Sequence, residues 1–263
     1  MTGAAEFARR YGPWAVVAGA SEGLGAAFAR GLGRRGLHLL LIARRAEKLE
    51  AVADEIRAEL GVEVQTLAID LSQADLSDRL RAATALLKVG LVVYNAAYAP
   101  VGDFIDRTPE ELGRVVDVNV RGPLLVTRGL VGPMVARGRG AVVLMSSLAG
   151  LQGTPRVATY AASKAFNIIL AEGLWHELRG RGVDVIASCA GAIRTPGYAG
   201  AAGKDAPGTL DPEVVVERTL AAVGRGPRVV PGLINKIASL LVGRWLPRRL
   251  SIAVMASSTR DLT

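Results

Sequence analysis

The sequence predicts an α/β fold, a doubly wound parallel sheet in one domain spanning residues 1–263, and three observations carry it. Short apolar runs alternate with stretches of helical periodicity along most of the chain. The runs lack the polar alternation of strands with one wet face, as strands covered on both sides require. No composition break resembles a linker between domains, and 263 residues suffice for one large core.

Each element follows from its residues. Residues 14–17 form a short buried strand ending at Gly19, and residues 26–32 a helix with an apolar face. The run 37–43 is the second strand. Leu49, Val52, Ala53, Ile56 and Leu60 recur at helical spacing over 46–60, with Glu47, Lys48, Glu50, Asp54 and Arg57 outside them. A third strand covers 62–69, a helix 76–88, a fourth strand 91–94, one or two helices 109–135, and a fifth strand 141–145. A long helix over 159–178 and a strand over 183–188 complete the alternation. About six strands with uneven helices favour an open sheet over a closed eight-stranded barrel.

Hydrophobic residues make up 50% of the chain and charged residues 21%, which argues against disorder. Aromatics at 5% leave the core to Leu, Val, Ile and Ala. The single cysteine, Cys189, excludes an intrachain disulfide, and with only two histidines no zinc site, or any other metal site, is expected. The N-terminal residues lack the order of a signal peptide, so a cytoplasmic location is expected. The formal charge is +8, yet six of the eight excess charges lie between Arg225 and Thr263, without the interleaved aromatics of a nucleic-acid-binding face. No nucleic-acid partner is expected.

Chemistry begins at Gly19-Ala20-Ser21-Glu22-Gly23-Leu24-Gly25, after the first strand and at the opening of a helix. Small residues let such a turn close, let backbone approach a pyrophosphate, and let the helix pack on the sheet. The free amides at the helix start then face the phosphates. The second strand ends in Ala43-Arg44-Arg45, where a dinucleotide (Rossmann) fold seats the adenosine ribose. No acid occupies positions 43–46, and arginine can pair with a 2′-phosphate, so NADP(H) is the expected cofactor. Arg44 is the stronger candidate, with Ser21 a helper. Asp70, ending the third strand, can accept from the adenine amino group or cap the next helix. Asn95-Ala96-Ala97 after the fourth strand leaves room for the cofactor.

Tyr160 and Lys164 are four residues apart on the long helix, so phenol and ammonium share a face. Hydride delivery to a carbonyl needs a proton donor, and an adjacent ammonium should lower the tyrosine pKa toward the working range. The same cation can hold the nicotinamide ribose. Ser147, ending the fifth strand, can donate to the carbonyl oxygen as charge develops there. Ser146 should point the other way.

With these motifs in this order, the chain resembles the classical short-chain dehydrogenase/reductase family over about residues 13–196. The likeness rests on AGASEGLG at 18–25, Asp70-Leu71, Asn95-Ala96-Ala97, Asn119, Ser147, Tyr160-x3-Lys164 and Cys189-Ala190-Gly191-Ala192-Ile193-Arg194-Thr195. The resemblance implies a catalytic tetrad of Asn119, Ser147, Tyr160 and Lys164. Asn119 would use a backbone carbonyl freed by a helix kink to hold a water that links Lys164 to solvent. It also implies that Gly191, Ile193 and Thr195 lie at the nicotinamide end.

Three departures stand out. Tyr94-Asn95-Ala96-Ala97 replaces the family's Asn-Asn-Ala-Gly, which requires a negative φ at Ala97. Ala190-Gly191 replaces Pro-Gly, which could loosen that turn. The end differs most: many members finish with a strand and an Asp-Gly-Gly-like turn that builds a tetramer face. Here Leu233, Ile237, Leu240, Leu241 and Trp245 mark an amphipathic helix broken at Pro247, and Leu250, Ile252, Ala253 and Met255 a second, within a helical segment over 232–257. Residues 233–255 could pack on a subunit or the core, cover the pocket, or touch an anionic membrane, in that order of preference. A homodimer or homotetramer is expected.

Residues 194–211 should form a flap over the substrate, bearing Tyr198, Ala199, Ala201, Ala202, Pro207 and Leu210, with Tyr98, Leu148 and Leu151 in the same cleft. An apolar cleft suits a lipophilic ketone such as a 3-oxoacyl, polyketide or steroid-like compound. The sequence thus predicts an NADPH-dependent carbonyl reductase; the alternatives are a non-catalytic NADP-binding sensor or scaffold and a structural protein held through its basic tail.

Overall fold

The computed structural model describes residues 2–196, 198, 205–241 and 245–259. Seven parallel strands form one open sheet in the order β3-β2-β1-β4-β5-β6-β7. These are β1 (Trp14–Ala18), β2 (His38–Ala43), β3 (Val64–Ala68), β4 (Val89–Tyr94), β5 (Gly140–Ser147), β6 (Val183–Ala190) and β7 (Arg228–Val229). The expected doubly wound sheet is therefore present, with β7 as an additional two-residue edge strand beside Ala187 and Ser188. Two residues carry no periodicity, so the sequence reading misses it.

Alternating side chains of one strand feed two cores. Ala15 and Val17 belong to the layer covered by α2 (Gly23–Gly33), α3 (Ala46–Leu60) and α8 (Pro212–Ala222). Val16 and Ala18 belong to the layer covered by α4 (Leu76–Thr84), α6 (Gly122–Ala136) and α7 (Ala158–Arg179). Both faces of β1, β2, β4, β5 and β6 are dry, hence their continuous apolar runs, while the edge strands β3 and β7 are partly exposed. The segment over 109–135 is two helices, α5 (Pro109–Val116) and α6, joined by a π-helical turn, Asp117–Arg121. An additional helix, α1 (Thr2–Tyr11), packs Phe7 on the first core and is tied to β6 by Arg10 and Tyr11, both donating to Asp184.

The chain winds outward from β1 through β2 to β3, then returns to place β4 on the other side of β1. At that reversal the loops after β1 and β4 diverge and leave a crevice at the carboxyl ends of the strands. Beyond β7 the fold ends in α9 (Leu233–Leu240) and α10 (Arg248–Thr259), on either side of Pro247 as expected. Among the described residues no helix is long and apolar enough to cross a membrane.

Candidate active site

The crevice holds a cavity of about 470 Å³. Its floor is the β1–α2 turn, where Gly19 has φ +86°. A Cβ at Gly19 would lie 2.7 Å from the Ala96 backbone, and one at Gly25 only 1.8 Å from the Gly19 carbonyl oxygen. Neither position admits a side chain, which is why the turn can bring backbone so close to a ligand. Glu22 at the N-cap of α2 makes no side-chain cap, so the first amides of α2 remain available. Of the expected cofactor residues, Gly19, Ser21, Glu22, Gly23, Leu24, Arg44, Arg45, Asp70, Leu71, Asn95, Ala96, Ala97, Gly191, Ile193 and Thr195 line this cavity. Gly25 packs behind it, and Tyr160 and Lys164 lie beyond its lining.

The rim at the end of β2 is basic. Arg45 pairs with Glu22 at 2.7 Å and Lys48 reaches the same carboxylate at 3.4 Å; together they hold Glu22 below the usual carboxylate range. Arg44 is 58% exposed, with only a 3.9 Å approach to Asp70. Its charge is the least committed on the rim and the best placed for an incoming anion. Lys48, which the sequence reading treats as an outer helix residue, adds to this patch. Asp70 does not cap a helix: α4 starts six residues later, after Asp75, and Asp70 instead accepts from the backbone and hydroxyl of Ser72. Burial alone would raise its pKa, but these bonds and the charges of Arg114 and Arg44 lower it. Arg114, absent from the sequence-based site, donates to Asp70 at 3.1 Å and lies over the Tyr98 ring.

The side chains expected to be catalytic converge from β5 and α7. Ser147 lies beside the Tyr160 phenol, close enough to act on its protonation. Ser146 does point the other way, donating to the Lys164 carbonyl. Lys164 is buried, donates from Nζ to the Met145 carbonyl at 2.9 Å, and sits 5.5 Å from the centroid of the Tyr160 ring. Burial pushes its pKa down to about 8. The expectation that this ammonium depresses the tyrosine pKa is not met. Burial pushes the Tyr160 phenol up, the neighbouring Ser147 hydroxyl pulls it partly back, and Lys164 faces the ring and a carbonyl rather than the hydroxyl.

The kink expected at Asn119 is the π-turn. Asn119 is fully buried; its side chain bonds the backbone N–H and C=O of Tyr98 and donates to Ser163 Oγ, and Ser163 donates to the Tyr160 carbonyl. Its own carbonyl accepts from Asn167 Nδ2. The family departure at Tyr94 takes part too, its hydroxyl donating to the Val118 carbonyl. Among the described residues only Arg156 combines a side chain with positive φ, so Ala97 meets its requirement.

On the far side of Tyr160 lies a second cavity of about 270 Å³, bounded by Pro100, Phe104, Leu112, Val157 and neighbouring residues. Tyr98 and Tyr198 line the larger cavity instead. Leu148 and Leu151 line neither: they form a short 3₁₀ turn, and Leu151 packs on the core layer beneath. The two ends of the segment expected to form a flap are tied together by pairing of Ile193 with Leu210 and by Arg194, which reaches Asp205 and Asp211 at 2.7 Å each. Ala199, Ala201 and Ala202 lie outside the described residues. The turn after β6 is not loose at Ala190-Gly191. The amide of buried Asn235, on α9, packs on Gly191 so closely that a Cβ there would lie 2.7 Å away, and donates to the carbonyls of Gly208 and Pro231. Arg248 on α10 donates to the Leu151 carbonyl and Thr259 to that of Pro155. The C-terminal helices thus frame the active-site loop, a role for which Asn235 gave no sequence signal.

A family model described as short chain dehydrogenase matches residues 13–204. The chain belongs to this family. A 7beta-hydroxysteroid dehydrogenase of Clostridium sardiniense is 36% identical over 190 residues, covering 72% of this chain and 73% of that one. A very-long-chain 3-oxoacyl-CoA reductase of Podospora anserina is 40% identical over 186 residues, 67% of this chain but only 54% of its own length. The match thus spans little more than half of that relative. Among solved structures, one described by 7beta-hydroxysteroid dehydrogenase stereoselectivity superposes with a TM-score of 0.89 at 30% identity, covering 95% of this chain and 98% of that chain. A short-chain dehydrogenase from Sphingobium yanoikuyae in complex with NADPH gives 0.76 at 31% identity, covering 83% and 87%.

Proposed function

We propose that this chain is an NADP(H)-dependent oxidoreductase that reduces the ketone of a bulky lipophilic substrate, steroid-like or 3-oxoacyl, to a secondary alcohol. The observation that carries this reading is the convergence of the Ser147 hydroxyl on the Tyr160 phenol with buried Lys164 against the same ring. The site fits the cofactor: a turn that no Cβ could enter, uncapped helix amides, and an uncommitted arginine beside it. Relatives solved with NADPH or NADP bound support the phosphorylated form.

Bound NADPH would supply the hydride. Arg44 would pair with the 2′-phosphate, with Arg45 and Ser21 beside it, and the amides of Gly23 and Leu24 would face the pyrophosphate. Ser147 Oγ holds the substrate oxygen and strengthens that bond as negative charge develops. Tyr160 Oη gives that oxygen its proton. The proton that the phenol gives up is restored through Lys164, whose Nζ lies against the Tyr160 ring.

Relatives named for hydroxysteroids and very-long-chain acyl groups support a lipophilic substrate, entering between the second cavity and the flap near Tyr98 and Tyr198. We further read the chain as a cytoplasmic homodimer or homotetramer; exposed Val116, Leu124 and Ile169 on α5–α7 and Leu233, Ile237 and Trp245 near the C-terminus supply apolar faces for subunit packing. Lid and membrane-surface roles for 233–255 rank behind it. A panel of ketones graded in chain length and ring size, followed by NADPH oxidation, tests the assignment. Turnover should favour bulky apolar ketones; absence of turnover across the panel despite NADPH binding would overturn it.

A further inference from the structure

Asn167 sits on α7 three residues beyond Lys164, so the two share a helix face. It is 2% exposed, among buried neighbours such as Ile168 and Ala171, a place where a helix ordinarily carries an apolar residue. Its Nδ2 donates to the Asn119 carbonyl at 3.2 Å, but its Oδ1 is buried and accepts from no protein group. A buried amide oxygen without a donor is costly, and a bound water is its usual partner.

The surroundings narrow where that water belongs. The side chain of Asn119 is fully used by Tyr98 and Ser163, leaving only its backbone carbonyl for other work. Tyr94 takes the preceding carbonyl, Val118. The π-turn is therefore gripped by two buried side chains, Tyr94 from β4 and Asn167 from α7. A carbonyl oxygen has a second lone pair, so Asn119 can still accept from a water. Lys164 has three N–H donors, one of them on the Met145 carbonyl.

We propose that Asn167 is a positioning residue for proton resupply: Nδ2 pins the Asn119 carbonyl, and Oδ1 holds one buried water beside the Lys164 ammonium. This rests on the reductase reading. The water accepts from a Lys164 N–H and donates to Asn167 Oδ1. When Lys164 gives up a proton toward the Tyr160 phenolate, that water replaces it and is itself replenished from solvent. Asn167 gains and loses no proton. The titratable groups facing Lys164 are Tyr160 on its own helix and Cys189 on β6, a thiol that burial pushes up to about 12 and so keeps neutral.

Two variants and one structure test this. Asn167→Leu keeps the branched shape at a larger volume and removes both polar atoms; Asn167→Asp keeps an acceptor and adds charge. With Leu, the melting temperature, NADPH Kd and KM should stay near wild type while kcat falls about tenfold and its solvent deuterium effect rises. With Asp, the basic limb of the kcat–pH profile should move to higher pH, because a carboxylate favours the ammonium. A high-resolution crystal structure should show a water about 2.9 Å from Asn167 Oδ1. Unchanged kcat and pH profile in both variants would overturn the proposal. So would parallel loss of melting temperature, NADPH affinity and kcat without a limb shift, which marks a packing residue. Wild-type turnover by Tyr160→Phe would instead overturn Tyr160 as the proton donor of the proposed reductase, and this proposal with it, whereas absence of turnover by the wild type across the ketone panel would overturn the reductase reading.

Discussion

At the cofactor end of the groove, the β1–α2 turn is held by backbone: Gly19 at φ +86°, and Gly25 where a Cβ would lie 1.8 Å from a carbonyl oxygen. Elsewhere around the groove, residues 205–211 and the 148–155 loop are held by side chains from farther along the chain, Asn235 on Gly208, Arg248 on Leu151, Thr259 on Pro155. The first design admits almost no change, since any added atom overlaps. The second can be retuned one side chain at a time, which suits the part of the family fold that must fit different substrates.

Substitutions on each side should sharpen this contrast. Gly25→Ala should have the largest effect, destabilising the turn by at least about 3 kcal/mol and weakening NADPH at least about 100-fold, read by thermal melts and cofactor titration. Arg44→Ala should raise the NADPH Kd about 10- to 100-fold and leave NADH nearly unchanged, while Arg45→Ala, already tied to Glu22, should do less. The pH profile separates chemistry from binding. Because burial lowers Lys164 to about 8, the ammonium is present below that pH and lost above it, so kcat/KM for ketone reduction should fall about tenfold per unit on the alkaline side. Asn235→Ala should be mildest: about 1–2 kcal/mol of stability and a several-fold higher KM for bulky ketones, with NADPH affinity unchanged.

The same contrast explains what was legible in the sequence. The inner strands announce themselves because both of their faces are dry, and the turn because only small residues fit it. Ser147, Tyr160 and Lys164 were legible because their spacing on a strand end and a helix face brings them together. The seventh strand, with two residues, has no period to read. Arg114 and Asn235 were missed because their roles depend on tertiary contacts with Asp70 and Gly208, distant in the chain. Leu151, expected in the cleft, packs on the core because the turn after β5 directs it inward. The Tyr160 pKa was misjudged for a similar reason: spacing places the ammonium near the ring, but Met145 decides where Nζ points.

The most direct test of the central claim is Tyr160→Phe assayed in parallel for NADPH binding and for NADPH oxidation with a ketone that the wild type reduces. Removal of the phenol oxygen should cut turnover by about 10²–10⁴-fold with the cofactor Kd within about twofold. Turnover at the wild-type rate would contradict the account.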